Sequence, residues 1–277
     1  MRRFLQFVLW VSLALACQHP SPAPVLVQQT GHLNQGVALK AESDLRTASA
    51  WPAPPLPPVA PQVLAHGRRD LPHLALTFDA CSTRDVSQYD QRVTRELIAA
   101  KVPATIFLGG SWAREEAAHV REIASVPLFE LGNHSYTHPH LTAIKSEERI
   151  RLEIERTQAE IYDLTGVQPK LFRPPYGEYD QRVVRIAAEL GLTTVEYDVA
   201  SGDPDAHATK ERLIDWVLRK ARPGSIIVMH INHRRFHTSE ALPAIISGLR
   251  AKGFELVTVG QLLADSHGLA PVVLREP

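Results

Sequence analysis

Leu74-Ala75-Leu76-Thr77-Phe78-Asp79 is a compact apolar run closed by a carboxylate. Four of its six residues are apolar, and its length suits a strand covered on both faces. Asp79 then lies where that strand opens onto a site. The pattern recurs along the chain. Ala104-Thr105-Ile106-Phe107-Leu108, Leu128 to Leu131, Lys170-Leu171-Phe172, Thr193 to Tyr197, Ser225-Ile226-Ile227-Val228-Met229 and Phe254 to Val259 read as further strands. Between them, helical periodicity predicts helices over Gln88 to Ala100, Trp112 to Ala124, Ser146 to Leu164, Gln181 to Leu190, Thr209 to Lys220 and Ser239 to Lys252, with a short last helix from Val259.

About seven strands alternating with helices imply a mostly parallel sheet covered by helices, hence an α/β barrel or an open sheet. The barrel is favoured because polar residues follow the ends of several different strands, at Asp79, His134, Arg173, Asp203 and His230. A barrel gathers such ends on its C-terminal face. No Gly-x-Gly-x-x-Gly or phosphate-loop pattern follows an early strand, so nothing supports a nucleotide site.

The chain has 277 residues, with 30 basic and 30 acidic side chains, so no basic footprint argues for nucleic acid. The start, Met1-Arg2-Arg3 followed by the apolar run Phe4 to Ala16, has the charge and hydrophobicity of an export signal over residues 1–17. Ala14-Leu15-Ala16-Cys17 resembles a bacterial lipoprotein box, with ordinary signal cleavage as the alternative. Export is expected either way, to the periplasm or cell envelope with membrane attachment through a lipidated Cys17, or otherwise by secretion. Residues 18–70, rich in Pro and Ala, read as a spacer or arm, of which Val25 to Gln29 is one segment that could lie against the domain. The folded domain is expected over 71–277. Only Cys17 and Cys81 occur, so no disulfide framework holds the chain, and nothing marks Cys81 as reactive.

His134 and His138 are four residues apart, a spacing that converges two imidazoles on one ion if the chain turns helically there. Asp79 could take a proton from water near such an ion, and His230 could protonate a departing amine. Arg173, fixed by the prolines that follow it, suits orienting a carboxylate, with Asp203 as a companion. Tyr176 and Gly177 close a rigid turn whose N–H groups could face an oxyanion. An ordinary strand-end cap for Asp79 and a loop-face ion pair for Arg173 and Asp203 are the structural alternatives.

Leu76-Thr77-Phe78-Asp79-Ala80, His134-Ser135-Tyr136-Thr137-His138, Arg173-Pro174-Pro175-Tyr176-Gly177, the Tyr197 to Asp203 segment and Val228-Met229-His230 occur in the order found in the polysaccharide deacetylase family. That family is also called the NodB-homology or carbohydrate esterase family 4 domain, and the resemblance runs from about His73 to Leu263. It implies a distorted (β/α) barrel that removes acetyl groups from N-acetylated sugars, or in some members O-acetyl groups from xylan, with a divalent metal. By position, Asp79 resembles the general base, and His134 and His138 the metal-binding histidines. Arg173 resembles the residue that positions the base, Asp203 the aspartate that orients the arginine, Tyr176 the oxyanion donor through its backbone N–H, and His230 the general acid.

The family usually carries a second, metal-binding aspartate where this chain has Ala80. Water, Asp85 or Asp90 would then have to complete the coordination, or the metal would be weakly held or absent. Pro204 and Tyr197 stand where the family often has tryptophan, which alters the acetyl pocket or sugar stacking more than the chemical step. Zinc is the expected metal, with cobalt or nickel as alternatives. The expected activity is hydrolytic release of acetate from an N-acetylglucosamine-containing glycan by a monomer. A small-amide hydrolase or O-acetyl esterase, and a non-catalytic carbohydrate-binding protein on the same fold, are the competing readings.

Overall fold

The structure is a computed structural model that describes residues 54–82 and 88–267. The stretch quoted first becomes the central strand. Strand β2 (His73–Ala80) follows a short β1 (Val63–Leu64) and precedes helix α1 (Gln91–Ala99), β3 (Ala104–Leu108), α2 (Gly110–Glu115) and α3 (Ala117–Ser125). Next come β4 (Phe129–Asn133), α4 (Glu147–Thr165), β5 (Leu171–Phe172), α5 (Gln181–Glu189), β6 (Thr193–Val195) and β7 (Val199–Ala200). The chain continues through α6 (Lys210–Lys220), β8 (Ile226–His230), α7 (Thr238–Ala251), β9 (Glu255–Val257) and α8 (Val259–Ser266). Every pairing is parallel, in the order β1-β6-β5-β4-β3-β2-β8-β7, with β9 beside the start of β2. The result is the expected α/β architecture, a curled, open parallel sheet wrapped by helices and matching a distorted (β/α) barrel.

Strand pleating divides β2 between two environments. Leu74, Leu76, Phe78 and Ala80 join the helix-facing core, with Val93, Leu97 and Trp112 from the covering helices. Ala75 faces the other way, into an inner cluster with Phe107, Leu171, Val195 and Ile226. Each large side chain fully buried this way contributes about 1.5–3 kcal/mol. Along the inner face the strand runs Ala75, Thr77, Asp79, from apolar to charged, and this gradient places the site at its C-terminal end.

Local details differ from the expected helices where side chains intervene. The single helix expected over Trp112 to Ala124 is broken at Glu116 (φ −105°, ψ 30°), whose carboxylate meets the His119 Nδ1 at 2.7 Å. The strand expected over Thr193 to Tyr197 stops at Val195, and pairing resumes at β7. The arm before Leu71 also packs on the fold. Val63 and Leu64 pair with Thr194 and Val195, the Val59 N–H donates to the Ala188 carbonyl at 2.9 Å, and Leu56 joins a cluster with Ile150 and Phe172. Val25 to Gln29, the segment expected to supply such an arm, lies outside the described residues. Among the described residues, no helix is long and apolar enough to cross a membrane.

Candidate active site

Five segments meet at the C-terminal end of the sheet. Asp79 and His230 are register partners on β2 and β8, which brings the two groups read as base and acid onto adjacent strands. Asp79 is 4% exposed, and its Oδ1 accepts from Arg173 Nη1 at 2.7 Å. The same Nη1 donates to Thr77 Oγ1 at 2.8 Å, Nη2 reaches the Glu196 carbonyl at 3.4 Å, and the guanidinium lies 4.1 Å over the Phe107 ring. Burial alone would raise the Asp79 pKa. The Arg173 charge, with His134 and His230, outweighs it and holds the carboxyl below its ordinary value, so Asp79 is a carboxylate at neutral pH.

Asp203 corrects one expectation. It does not orient Arg173. Its Oδ2 accepts from the His230 backbone N–H at 2.7 Å and from Thr238 Oγ1 at 2.6 Å. Its Oδ1 meets His230 Nδ1 at 2.9 Å and accepts from Ser201 Oγ at 3.0 Å. The reason is topological: β7 pairs with β8, so the loop leaving β7 passes beside the end of β8 rather than behind β5. Burial would lower the His230 pKa, but Asp203's charge and hydrogen bond dominate and raise it. The pair resembles a carboxylate-held imidazolium that can give up a proton, and the imidazole keeps 22% of its side-chain surface open.

His134 and His138 converge, though through a loop rather than a helical turn. Ser135 (φ 60°) and His138 (φ 56°) both adopt left-handed backbone, and the rings lie 4.9 Å apart. Glu153, on α4, holds this loop by accepting from the Tyr136 and Thr137 N–H groups at 2.9 and 2.8 Å and from Thr137 Oγ1 at 2.6 Å. Asn133 accepts from the Ser135 N–H at 3.0 Å and donates to the Ile154 carbonyl at 2.9 Å. His134 Nδ1–H donates to the Arg173 carbonyl at 2.8 Å, which leaves Nε2 with the lone pair, 3.6 Å from Asp79 Oδ2. Burial lowers the pKa of both imidazoles, that of His138 to about 3, so both are in the neutral, ligating form.

Cys81 places a third candidate ligand atom beside them. The ligating atoms of Cys81, His134 and His138 all lie within 4.8 Å of one another, a set able to hold a divalent cation. Cys81 is two residues beyond Asp79, whereas the Ala80 side chain belongs to the helix-facing core. Asp90, one of the expected replacements, instead caps α1 and pairs with Arg92 at 2.8 Å. Asp85 lies outside the described residues.

Tyr176 also adopts left-handed backbone (φ 61°, ψ 6°), a conformation that costs a non-glycine residue about 1–2 kcal/mol and is found at functional sites. Its half-exposed ring stacks on His140 at 4.0 Å and meets His138 edge-on at 4.6 Å. Gly177 (φ +68°) follows it, also in left-handed backbone, and a Cβ there would lie 2.9 Å from Tyr197 Oη and 3.0 Å from Glu196 Oε2, so a larger residue would be strained and would push both side-chain tips aside. Burial pushes the Glu196 carboxyl up to about 7.

Sequence reasoning misses two members of the site, Glu153 and Cys81. Glu153 carries a signal: with Ile150, Ile154, Thr157 and Ile161 it falls on the buried stripe of α4, where a carboxylate needs a partner. Cys81 carries one too, since a period of two puts it on the same face as Asp79.

The polysaccharide deacetylase family profile matches residues 66–195. An uncharacterised protein, YlxY, of Bacillus subtilis is 32% identical over 226 residues, covering 82% of this chain and 68% of that protein. A peptidoglycan-N-acetylglucosamine deacetylase of Bacillus cereus is 31% identical over 196 residues, covering 70% of this chain and 69% of that protein. Among solved structures, a CE4 family pseudoenzyme from Bacillus anthracis superposes with a TM-score of 0.67 at 29% identity, covering 74% of this chain and 70% of that one. The sequence motifs, the curled parallel sheet and these matches agree, and the chain belongs to the polysaccharide deacetylase family.

Proposed function

We propose that the protein is a metal-dependent hydrolase that removes N-acetyl groups from N-acetylglucosamine units of a polysaccharide or oligosaccharide and releases acetate. The observation that carries this reading is the pairing of opposite protonation preferences on adjacent strands. Asp79 is held as a carboxylate by Arg173, and His230 is held toward its protonated form by Asp203.

The neutral imidazoles of His134 and His138 fit a divalent cation, zinc by preference and cobalt or nickel as alternatives. When bound, such an ion supplies Lewis-acid polarisation of the acetyl carbonyl and acidifies water. Asp79 takes the proton of the water that adds to the carbonyl carbon. The Tyr176 backbone N–H donates to the oxygen on which charge develops. His230 protonates the sugar nitrogen as the carbon–nitrogen bond breaks and acetate leaves. Arg173 fixes the Asp79 carboxylate, and the half-exposed Tyr176 ring, stacked on His140, offers a face for a sugar. Export through residues 1–17, with lipid attachment at Cys17, would bring a monomeric catalytic domain to an envelope glycan.

A second reading, a carbohydrate-binding protein that has lost turnover, is favoured by Ala80 in the first motif and by the similarity to a pseudoenzyme. Acetate measured after incubation with chitooligosaccharides and with peptidoglycan separates the two. Release that requires added zinc, cobalt or nickel and stops with chelator is expected. Glycan binding without acetate under each of these metals would establish the second reading instead.

A further inference from the structure

Ligand chemistry at the histidine pair goes further than the family assignment. We propose that Cys81 supplies a thiolate ligand, so that the bound ion sits in a sulfur–nitrogen–nitrogen set with His134 and His138. The proposal rests on the reading that this site holds a metal, and it names what completes the coordination.

Four observations carry it. The three ligand atoms already lie within 4.8 Å of one another. A tetrahedral ion with a sulfur at ~2.3 Å and nitrogens at ~2.0–2.1 Å needs them roughly 3.3–3.6 Å apart, so a contraction of about 1 Å closes the site. The competing carboxylates nearest the site among the described residues each have another partner, and Asp79 turns only Oδ2 toward it, 3.6 Å from His134 Nε2. Asp79 is tied to Arg173, Asp90 to its helix cap and Arg92, and Glu153 to the loop backbone. The thiol is also held in place: Asn232 Nδ2 donates to the Cys81 carbonyl at 2.6 Å and lies 3.6 Å from Sγ. Such an N–H beside the sulfur orients a thiolate ligand. Finally, pleating puts Cys81 on the Asp79 side of the strand end while Ala80 turns into the helix-facing core.

A thiolate carries the same single negative charge as a carboxylate, so the site keeps its formal charge. It is a softer donor. It shifts preference toward zinc and cobalt and away from magnesium, calcium and manganese, which favour oxygen. Three protein ligands still leave a fourth position for water or the acetyl oxygen.

X-ray absorption on the zinc-loaded full chain tests the assignment directly. One sulfur neighbour at about 2.3 Å is expected, and a shell of nitrogen and oxygen alone would overturn the proposal. Cobalt loading supplies a second readout. The wild type should show a near-ultraviolet sulfur-to-cobalt charge-transfer band, which Cys81→Ser loses while His134 and His138 remain. Zinc affinity should fall in Cys81→Ser by at least the roughly 10–100-fold that loss of an outer-shell partner costs and stay unchanged in Asp85→Asn. Loss of affinity in Asp85→Asn with none in Cys81→Ser would reverse the assignment. Because the absorption measurements use the wild type, they stand even where a variant folds poorly. A sulfur-ligated protein that releases no acetate keeps the ligand assignment and refutes the deacetylase reading. Acetate release by a protein whose metal has no sulfur neighbour does the opposite.

Discussion

Two carboxyl groups drawn into the interior at opposite ends of the sheet, Asp79 buried and Glu130 half-buried, have opposite fates. At the C-terminal end, Asp79 faces Arg173, His134 and His230 and is pulled below its ordinary pKa despite burial. Toward the N-terminal end, Glu130 accepts from the Gly260 N–H at 2.9 Å and Thr105 Oγ1 at 2.7 Å, and burial raises its pKa. Thr105 in turn accepts from the Val259 N–H at 2.9 Å, so this group anchors the start of α8. Burial alone therefore does not mark a reactive carboxyl. The charges brought to it by other strands decide whether its pKa is drawn down for chemistry or left raised by burial at a structural link.

The largest expected effect breaks the upper group. Asp79→Asn should lower acetate release by about 10²–10⁴-fold, the range for a lost general base. Circular dichroism should confirm that the fold persists, and turnover near the wild-type rate would remove Asp79 from that role. Next in size is the lower group. Glu130→Ala leaves the Gly260 N–H and the Thr105 hydroxyl without their acceptor, at about 1–3 kcal/mol each. Denaturant unfolding should detect that loss while acetate release per folded molecule stays unchanged. A drop in turnover of the folded fraction would show that the two ends are coupled.

Glu153 tests an intermediate case, a carboxylate that touches the loop rather than the reaction. Gln in its place retains one acceptor oxygen for three donors, so Glu153→Gln should weaken zinc binding about 10–100-fold. Zinc titration in excess of the new dissociation constant should restore most of the turnover. Failure of excess zinc to restore it would assign Glu153 more than a positioning role.

The smallest effect is in acid, where the two groups should pull stability in opposite directions. The depressed Asp79 pKa gives stability that is present above the ordinary aspartate value of about 3.9 and lost as pH falls through the folded value. The raised Glu130 pKa does the reverse. Its contribution is full below the ordinary glutamate value of about 4.3 and declines as pH rises toward the folded value. Each tenfold difference in proton affinity between the folded and unfolded chain corresponds to about 1.4 kcal/mol. Urea midpoints between pH 3 and 7 should therefore flatten on the acid side in Asp79→Asn and on the rising side in Glu130→Gln. Identical profiles in both variants would refute the contrast.

The sheet is legible because its central strands are largely apolar runs that end in a polar residue, and the strand ends at Asp79, His134, Arg173 and His230 do meet. What the sequence hides is which ends become neighbours. Asp203 reads as a companion of Arg173, and only the β7–β8 pairing reveals that it reaches His230 instead. The helical geometry expected of His134 and His138 gives way to left-handed residues, because Glu153 and Asn133 fix the loop through its backbone. Cys81 escapes a reading that looks only to carboxylates and water for the missing ligand.

Strand β2 is bordered on one side by β8 and on the other by β9 and then β3, so both its edges are occupied along nearly its whole length. Amide hydrogens at Thr77 and Asp79 should consequently exchange with deuterium only when the entire domain opens, whereas those of the two-residue β1, paired to β6 alone, should exchange through local fraying. The residue assigned to proton abstraction thus sits in the slowest-exchanging part of the molecule, and the first losses of structure on warming should leave its position intact.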